Sequence, residues 1–194
     1  MKKGRILLLN GPSSAGKTTL AWELQTNAPG YWYWLTIDCF LDAVPSQQWD
    51  RDRDGSFLTA FDLHYDCVKL VSDQGMDIIM DTVICGRNLY ESFEKKLAGY
   101  PVYMVKVVCP LEELNRRELA RGDRETGLAA GQADIIVPQK SYDLIVDTYT
   151  QTTAECARQI IDMLEQPAGG PKAFIKLSAD PNKWEGATHQ REML

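Results

Sequence analysis

Apolar residues fall along this chain in two alternating patterns. Short runs with both faces apolar recur at Arg5 to Leu9, Trp32 to Ile37, Asp77 to Met80, Val102 to Val108 and Tyr142 to Val146. Such runs predict strands of a parallel sheet buried on both faces. Between them, Lys17 to Thr26, Ser56 to Gln74, Asn88 to Ala98, Leu111 to Arg121 and Thr153 to Gln166 carry apolar residues at helical spacing. In the second of these, Phe57, Phe61, Tyr65, Val68 and Val71 recur three or four residues apart. Strand and helix in alternation, joined by right-handed crossovers, predict an α/β fold: a doubly wound, five-stranded parallel sheet.

Two segments break the alternation. Pro45 to Gly55 is polar and reads as a loop, and Gly122 to Gly131 mixes glycine with both signs of charge. Ligands of doubly wound sheets bind at the carboxyl ends of the strands, the edge from which such loops leave. After Gln166 the run "PAGGP" marks a linker, so residues 1–166 read as one domain and 167–194 as a tail. The tail is open to two readings: it folds back, or it contacts another subunit of a homo-oligomer.

The 194 residues suffice for a single buried core, and a 44 % apolar and 25 % charged composition is that of an ordinary globular chain. The net charge of −6 disfavours broad binding to nucleic acid or anionic lipid. Five scattered cysteines without a C-x-x-C pair read as buried thiols, and no run is long enough to span a membrane. These features together suggest a cytoplasmic protein whose partners are neither nucleic acids nor membranes.

Within this frame one motif carries specific chemistry. "LLLNGPSSAGKTTL" holds Gly11-x-x-x-x-Gly16-Lys17-Thr18 between the first predicted strand and the first helix, the setting of a phosphate-binding loop. Glycine at 11 and 16 admits backbone angles and close approaches that a β-carbon blocks. Successive N–H groups of Pro12, Ser13, Ser14, Ala15, Gly16, Lys17, Thr18 and Thr19 (proline excepted) can then turn toward phosphate oxygens, assisted by the helix N-terminus. Lys17 would reach the outer phosphates and the Thr18 hydroxyl would ligate Mg²⁺. A plain glycine turn would need neither the lysine nor the hydroxyl. The guanine-reading N-K-x-D pattern is absent, which favours ATP.

Three further groups follow from position. Asp81 closes the run "MDIIMD" and is placed to hold a Mg²⁺ hydration shell, or to cap a turn. Asp38, just past the second strand, would leave the same sheet edge and could draw a proton from an acceptor hydroxyl, or cap a short helix. In "RRELARGDRETG" the acidic chain concentrates four arginines, and a guanidinium fork suits a transferring phosphoryl group. Arg121 and Arg124 flank Gly122 and Asp123, as residues of a closing lid over about 121–131 would. Arg116 and Arg117 fit equally a solvated helix face laced with Glu112, Glu113 and Glu118.

Taken together, "ILLLNGPSSAGKT", "TIDCFLDAVP", "ARGDRETGLAAGQ" and "YDLIVDT" resemble the chloramphenicol phosphotransferase-like family of small P-loop kinases, over most of residues 5–165. The resemblance implies ATP- and Mg²⁺-dependent transfer of phosphate to the hydroxyl of a small molecule. Lys17 and Thr18 would then serve ATP and Mg²⁺, Asp38 the acceptor proton, and Arg121 and Arg124 the lid. Members of that family often pair two aspartates where Asp81 and Thr82 stand here, and "PSQQWDRDRDGSF" departs from their pattern, so the acceptor need not be chloramphenicol. Two other readings share the motif: a nucleoside, nucleotide or polynucleotide-end kinase, and a non-catalytic ATP-binding module.

Other features of the sequence have ordinary explanations. "DRDRDG" begins like a calcium loop with Asp50, Asp52, Asp54 and Gly55, but position twelve is Phe61 and the loop cannot close. His64 sits on the apolar side of its helix and reads as a packed core histidine, although it could still face the acceptor pocket. Trp32, Tyr33, Trp34 and Trp49 could stack on an aromatic or sugar acceptor, but a buried strand explains the first three without any ligand.

Overall fold

The computed structural model describes residues 2–121, 127–133, 136, 142–166 and 170–180, and for Arg121 the backbone alone. Its sheet has the order β2-β3-β1-β4-β5, parallel throughout. The strands are β1 (Ile6–Asn10), β2 (Trp32–Thr36), β3 (Asp77–Thr82), β4 (Val102–Val108) and β5 (Leu144–Asp147). Among the helices are α1 (Lys17–Asn27), α2 (Asp38–Asp42), α3 (Ser46–Arg51), α4 (Arg53–Asp73), α5 (Gly86–Leu97), α6 (Leu111–Arg121), α7 (Leu128–Ala133), α8 (Thr153–Glu165) and α9 (Ala173–Ala179).

Alternation along the central strand divides the core. Ile6 and Leu8 point to one face, packed with Phe61, Tyr65 and Val68 of α4, Tyr90 and Phe93 of α5, and Phe174 of α9. Leu7 and Leu9 point to the other, packed with Leu20 and Leu24 of α1, Leu114 of α6, and Ile160 and Leu164 of α8. All four strand residues are fully buried, as a central parallel strand with helices on both faces requires. The start of α9 is fixed by Asp143, whose Oδ1 accepts the Lys172 and Ala173 N–H groups at 2.9 Å each. Phe174 then lies edge-on to Phe93 with ring centroids 5.2 Å apart, so this part of the tail folds back onto the core.

The structure corrects three expectations. Burial on both faces holds for the inner strands, but β2 and β5 are the sheet edges, and Tyr33 and Ile145 are exposed. Pro45 to Gly55 is not a loop: it carries α3 and the first turn of α4, which Asp52 caps by accepting the Gly55 N–H at 3.0 Å. A capping role accounts for Asp52 of "DRDRDG" without a cation. Of the five thiols only Cys85 and Cys156 are buried. Cys67 and Cys109 are half-buried and Cys39 is exposed; all are free. No helix among the described residues is long and apolar enough to cross a membrane.

Candidate active site

Strand register brings the predicted residues to one edge. Thr36 of β2 pairs with Asp81 of β3, and Asp81 with Leu9 of β1. Asp38 lies two residues past Thr36, and Gly11 two residues past Leu9, so both leave the sheet at its carboxyl end beside Asp81. A cavity of about 440 Å³ opens there, lined by Ser14, Gly16, Lys17, Thr18 and Thr19 of the loop and α1 and by Thr36, Asp38, Asp81, Thr82 and Val83 from the ends of β2 and β3. Beta-sheet order reverses around β1, which makes this edge the switch point of the fold.

The loop from Gly11 to Gly16 is held in an unusual shape. Ser14 (φ 61) and Gly16 (φ 89) are left-handed, conformations that cost a non-glycine residue about 1–2 kcal/mol. Gly11 is needed for another reason: a β-carbon there would stand 2.4 Å from the Val107 carbonyl oxygen of β4. The buried Ser14 Oγ has no hydrogen-bond partner among the described residues, in keeping with a loop shaped for a ligand. Lys17 is 8 % exposed, and its Nζ donates to the Pro12 carbonyl at 2.9 Å, which folds the ammonium over the loop. The loop thus offers amides, a cation and an uncommitted hydroxyl to an anionic group, and phosphate fits it.

Thr18 Oγ1 donates to Asp81 Oδ2 at 2.9 Å, and Asp81 is 2 % exposed. A hydroxyl and a carboxylate so joined beside a phosphate loop are oxygen donors of the kind that hold a hydrated Mg²⁺, so the residues fit that ion. Asp38 is the first residue of α2, whose cap position is Ile37, and no side chain caps that helix. The Asp38 carboxylate instead lines the cavity.

The arginines divide. Arg117 lines the same cavity and braces the loop: Nη1 donates to the Ser14 carbonyl at 3.4 Å and to Thr148 Oγ1 at 3.2 Å, and Nη2 to the Thr148 carbonyl at 3.0 Å. Thr148 Oγ1 in turn donates to the Ala15 carbonyl at 2.8 Å. Arg116 pairs with Glu113 at 2.6 Å at the cavity rim, and these two arginines hold the Glu113 carboxyl down to about 2. Arg124 and the side chain of Arg121 lie outside the described residues, as does most of the segment between α6 and α7. Glu118 is not on a solvated face. It is 2 % exposed, and its carboxylate accepts the Gly127 N–H at 3.0 Å and the Ala129 N–H at 2.7 Å.

His64 is a core residue, as expected. It is fully buried against Phe40, with ring centroids 5.1 Å apart, and burial lowers its pKa to about 4. It is absent from the cavity wall. Among the described residues no cluster of three His, Cys, Asp or Glu side chains could hold a metal by itself. Sequence reasoning missed Thr148 and Gln132 as residues that touch the phosphate loop. Both stand inside runs that carry the family resemblance, but no local spacing points to their roles.

Comparison with known proteins decides the family. A model of the family described as "Chloramphenicol phosphotransferase-like protein" matches residues 4–165. The chain belongs to that family. Its relatives include proteins of two Mycobacterium tuberculosis strains named "Putative O-phosphotransferase", 33 % identical, with 91 % of this chain and 89 % of theirs aligned. Among solved structures, the APS kinase of Mycobacterium tuberculosis in complex with AMPPNP and APS matches with a TM-score of 0.66 at 19 % identity, over 86 % of this chain and all of that one. The shikimate kinase of Acinetobacter baumannii in complex with shikimate matches with a TM-score of 0.55 at 15 % identity, over 84 % of this chain and 94 % of that one. The fold is that of the P-loop kinases, a nucleotide-binding fold, and the five-stranded doubly wound sheet expected from the sequence is present.

Proposed function

We propose that this protein is an ATP- and Mg²⁺-dependent O-phosphotransferase that phosphorylates the hydroxyl of a small molecule. The observation that carries the reading is the sharing of one cavity by the phosphate loop, the Thr18–Asp81 pair and the Asp38 carboxylate. Family membership and the O-phosphotransferase name of its relatives support it.

Each side chain has a task in this reading. The loop amides and Lys17 neutralise the triphosphate, with Lys17 on its outer phosphates. Thr18 and Asp81 hold Mg²⁺, which when bound supplies charge to offset that developing on the transferred phosphoryl group. Asp38 accepts the acceptor's hydroxyl proton and orients its oxygen for in-line attack. Arg117, through Ser14 and Thr148, keeps the loop amides in place, so that little reorganisation is needed during transfer. Arg121 and Arg124 would close over the phosphates from the segment after α6. The net charge of −6 argues against a long nucleic acid as the acceptor.

The reading is tested by ADP release from ATP and Mg²⁺ against a panel of small hydroxyl compounds, with oligonucleotide ends and free nucleosides as comparison arms. Acceptor-dependent release with at least one small alcohol is the expected result. Tight nucleotide binding with release from oligonucleotide ends alone would move the protein to a different acceptor class.

A further inference from the structure

The peptide unit between Pro12 and Ser13 is engaged on both sides. Its carbonyl accepts from Lys17 Nζ at 2.9 Å, and its N–H donates to Gln132 Oε1 at 2.7 Å. Lys17 is the side chain that reaches the outer phosphates of a nucleotide in such loops. The Ser13 amide therefore belongs to the outer end of the loop, and Pro12 before it has no N–H to offer. Gln132 comes from α7, far along the chain. That helix does not depend on Gln132 for its position, because the buried Glu118 carboxylate already holds its first turn through the Gly127 and Ala129 amides.

A carboxamide oxygen on this amide is a neutral acceptor at a place built for a charged one. We propose that Gln132 is a positioning residue that occupies the Ser13 N–H while no third phosphate is bound and yields it to the terminal phosphate of a triphosphate. The inference rests on the reading of the loop as an ATP site. On this reading a diphosphate, one phosphate shorter, leaves the Gln132 contact intact, and a triphosphate displaces it. Exchange of one neutral hydrogen bond for a charge-assisted one favours the triphosphate, but less than an unoccupied amide would. After transfer, Gln132 recovers the Ser13 amide.

The test is the affinity for AMPPNP and for ADP, each with Mg²⁺, measured by titration calorimetry on the wild-type chain, Gln132→Ala and Gln132→Glu. Removal of the competing acceptor is expected to tighten AMPPNP about three- to tenfold, while ADP stays within about twofold. A glutamate grips the same N–H with a charge and repels the phosphate, and is expected to weaken AMPPNP about tenfold or more with a smaller change for ADP. The two variants thus move the AMPPNP-to-ADP ratio in opposite directions, which a merely structural role would not do. A ratio that stays constant in both variants, or falls in Gln132→Ala, overturns the inference while leaving the ATP site standing. Absence of nucleotide binding by the wild-type chain overturns both.

Discussion

Thr18 and Asp81 are joined by a hydrogen bond of 2.9 Å although one whole strand, β2, and three whole helices, α2 to α4, separate them in sequence. Register explains the meeting: Asp81 stands beside Leu9 at the end of the sheet, and the loop that follows β1 carries Thr18 back over it. Asp81→Asn keeps a carbonyl for the Thr18 hydroxyl but removes the charge. Turnover is expected to fall about 10- to 100-fold or more and its Mg²⁺ requirement to shift to higher concentration. Nucleotide affinity without Mg²⁺ should change little. An ADP-release assay across a MgCl₂ series reads both effects, and unchanged Mg²⁺ dependence would remove Asp81 from the metal role.

Gly11 tests packing beneath the loop independently of chemistry. Its missing β-carbon would meet the backbone oxygen of Val107, an atom of the inner strand β4 that cannot turn aside. Gly11→Ala is expected to destabilise the fold by about 1–3 kcal/mol. Thermal unfolding should show a loss of several degrees for a chain of this size.

His64 makes stability depend on pH in a definite sense. Burial lowers its pKa from 6.5 to about 4, and the Leu35 carbonyl, 3.3 Å from Nε2, only partly offsets this. The unfolded chain binds a proton near pH 6.5 and the folded one only near pH 4, so stability is lost as pH falls through that window and is unaffected by this group above it. The loss is on the order of 3 kcal/mol for a shift of this size. Urea unfolding at pH 7 and pH 4.5 should show a steeper fall for the wild type than for His64→Phe. Parallel falls would mean that His64 is protonated in the fold.

Glu118 is a buried acid that holds backbone amides. Glu118→Gln replaces one acceptor oxygen by an N–H₂ group that faces an amide donor, which is expected to cost about 1–3 kcal/mol. Hydrogen exchange should accelerate at Gly127 and Ala129 in that variant and remain unchanged in β1. Protection that persists at both amides would show that the carboxylate does not anchor α7.

Most of the frame was legible because the inner strands announce themselves by burial on both faces. Their polar ends were not: β1 runs on to Asn10 and β3 to Thr82, since ladder hydrogen bonds belong to the backbone whatever the side chain. The helix content of Pro45 to Gly55 was hidden by its lack of an apolar period, and only the Asp52 cap betrays it. At the site, Gly11 to Thr19, Asp38 and Asp81 could be located from motif and strand order. Glu118, Gln132 and Thr148 could not, because each acts on a backbone group brought near by tertiary packing. Arg117 shows the same limit: its charge was visible, but its service to the Ser14 and Thr148 carbonyls was not.

The central claim is that Asp38 serves as the base for a hydroxyl acceptor facing the phosphate loop. Its most direct test compares turnover and nucleotide affinity in Asp38→Asn, with an acceptor that supports ADP release in the wild-type protein. The account predicts a fall in kcat of about 10²- to 10⁴-fold with the Kd for AMPPNP within about threefold of wild type. Full turnover in that variant would contradict it.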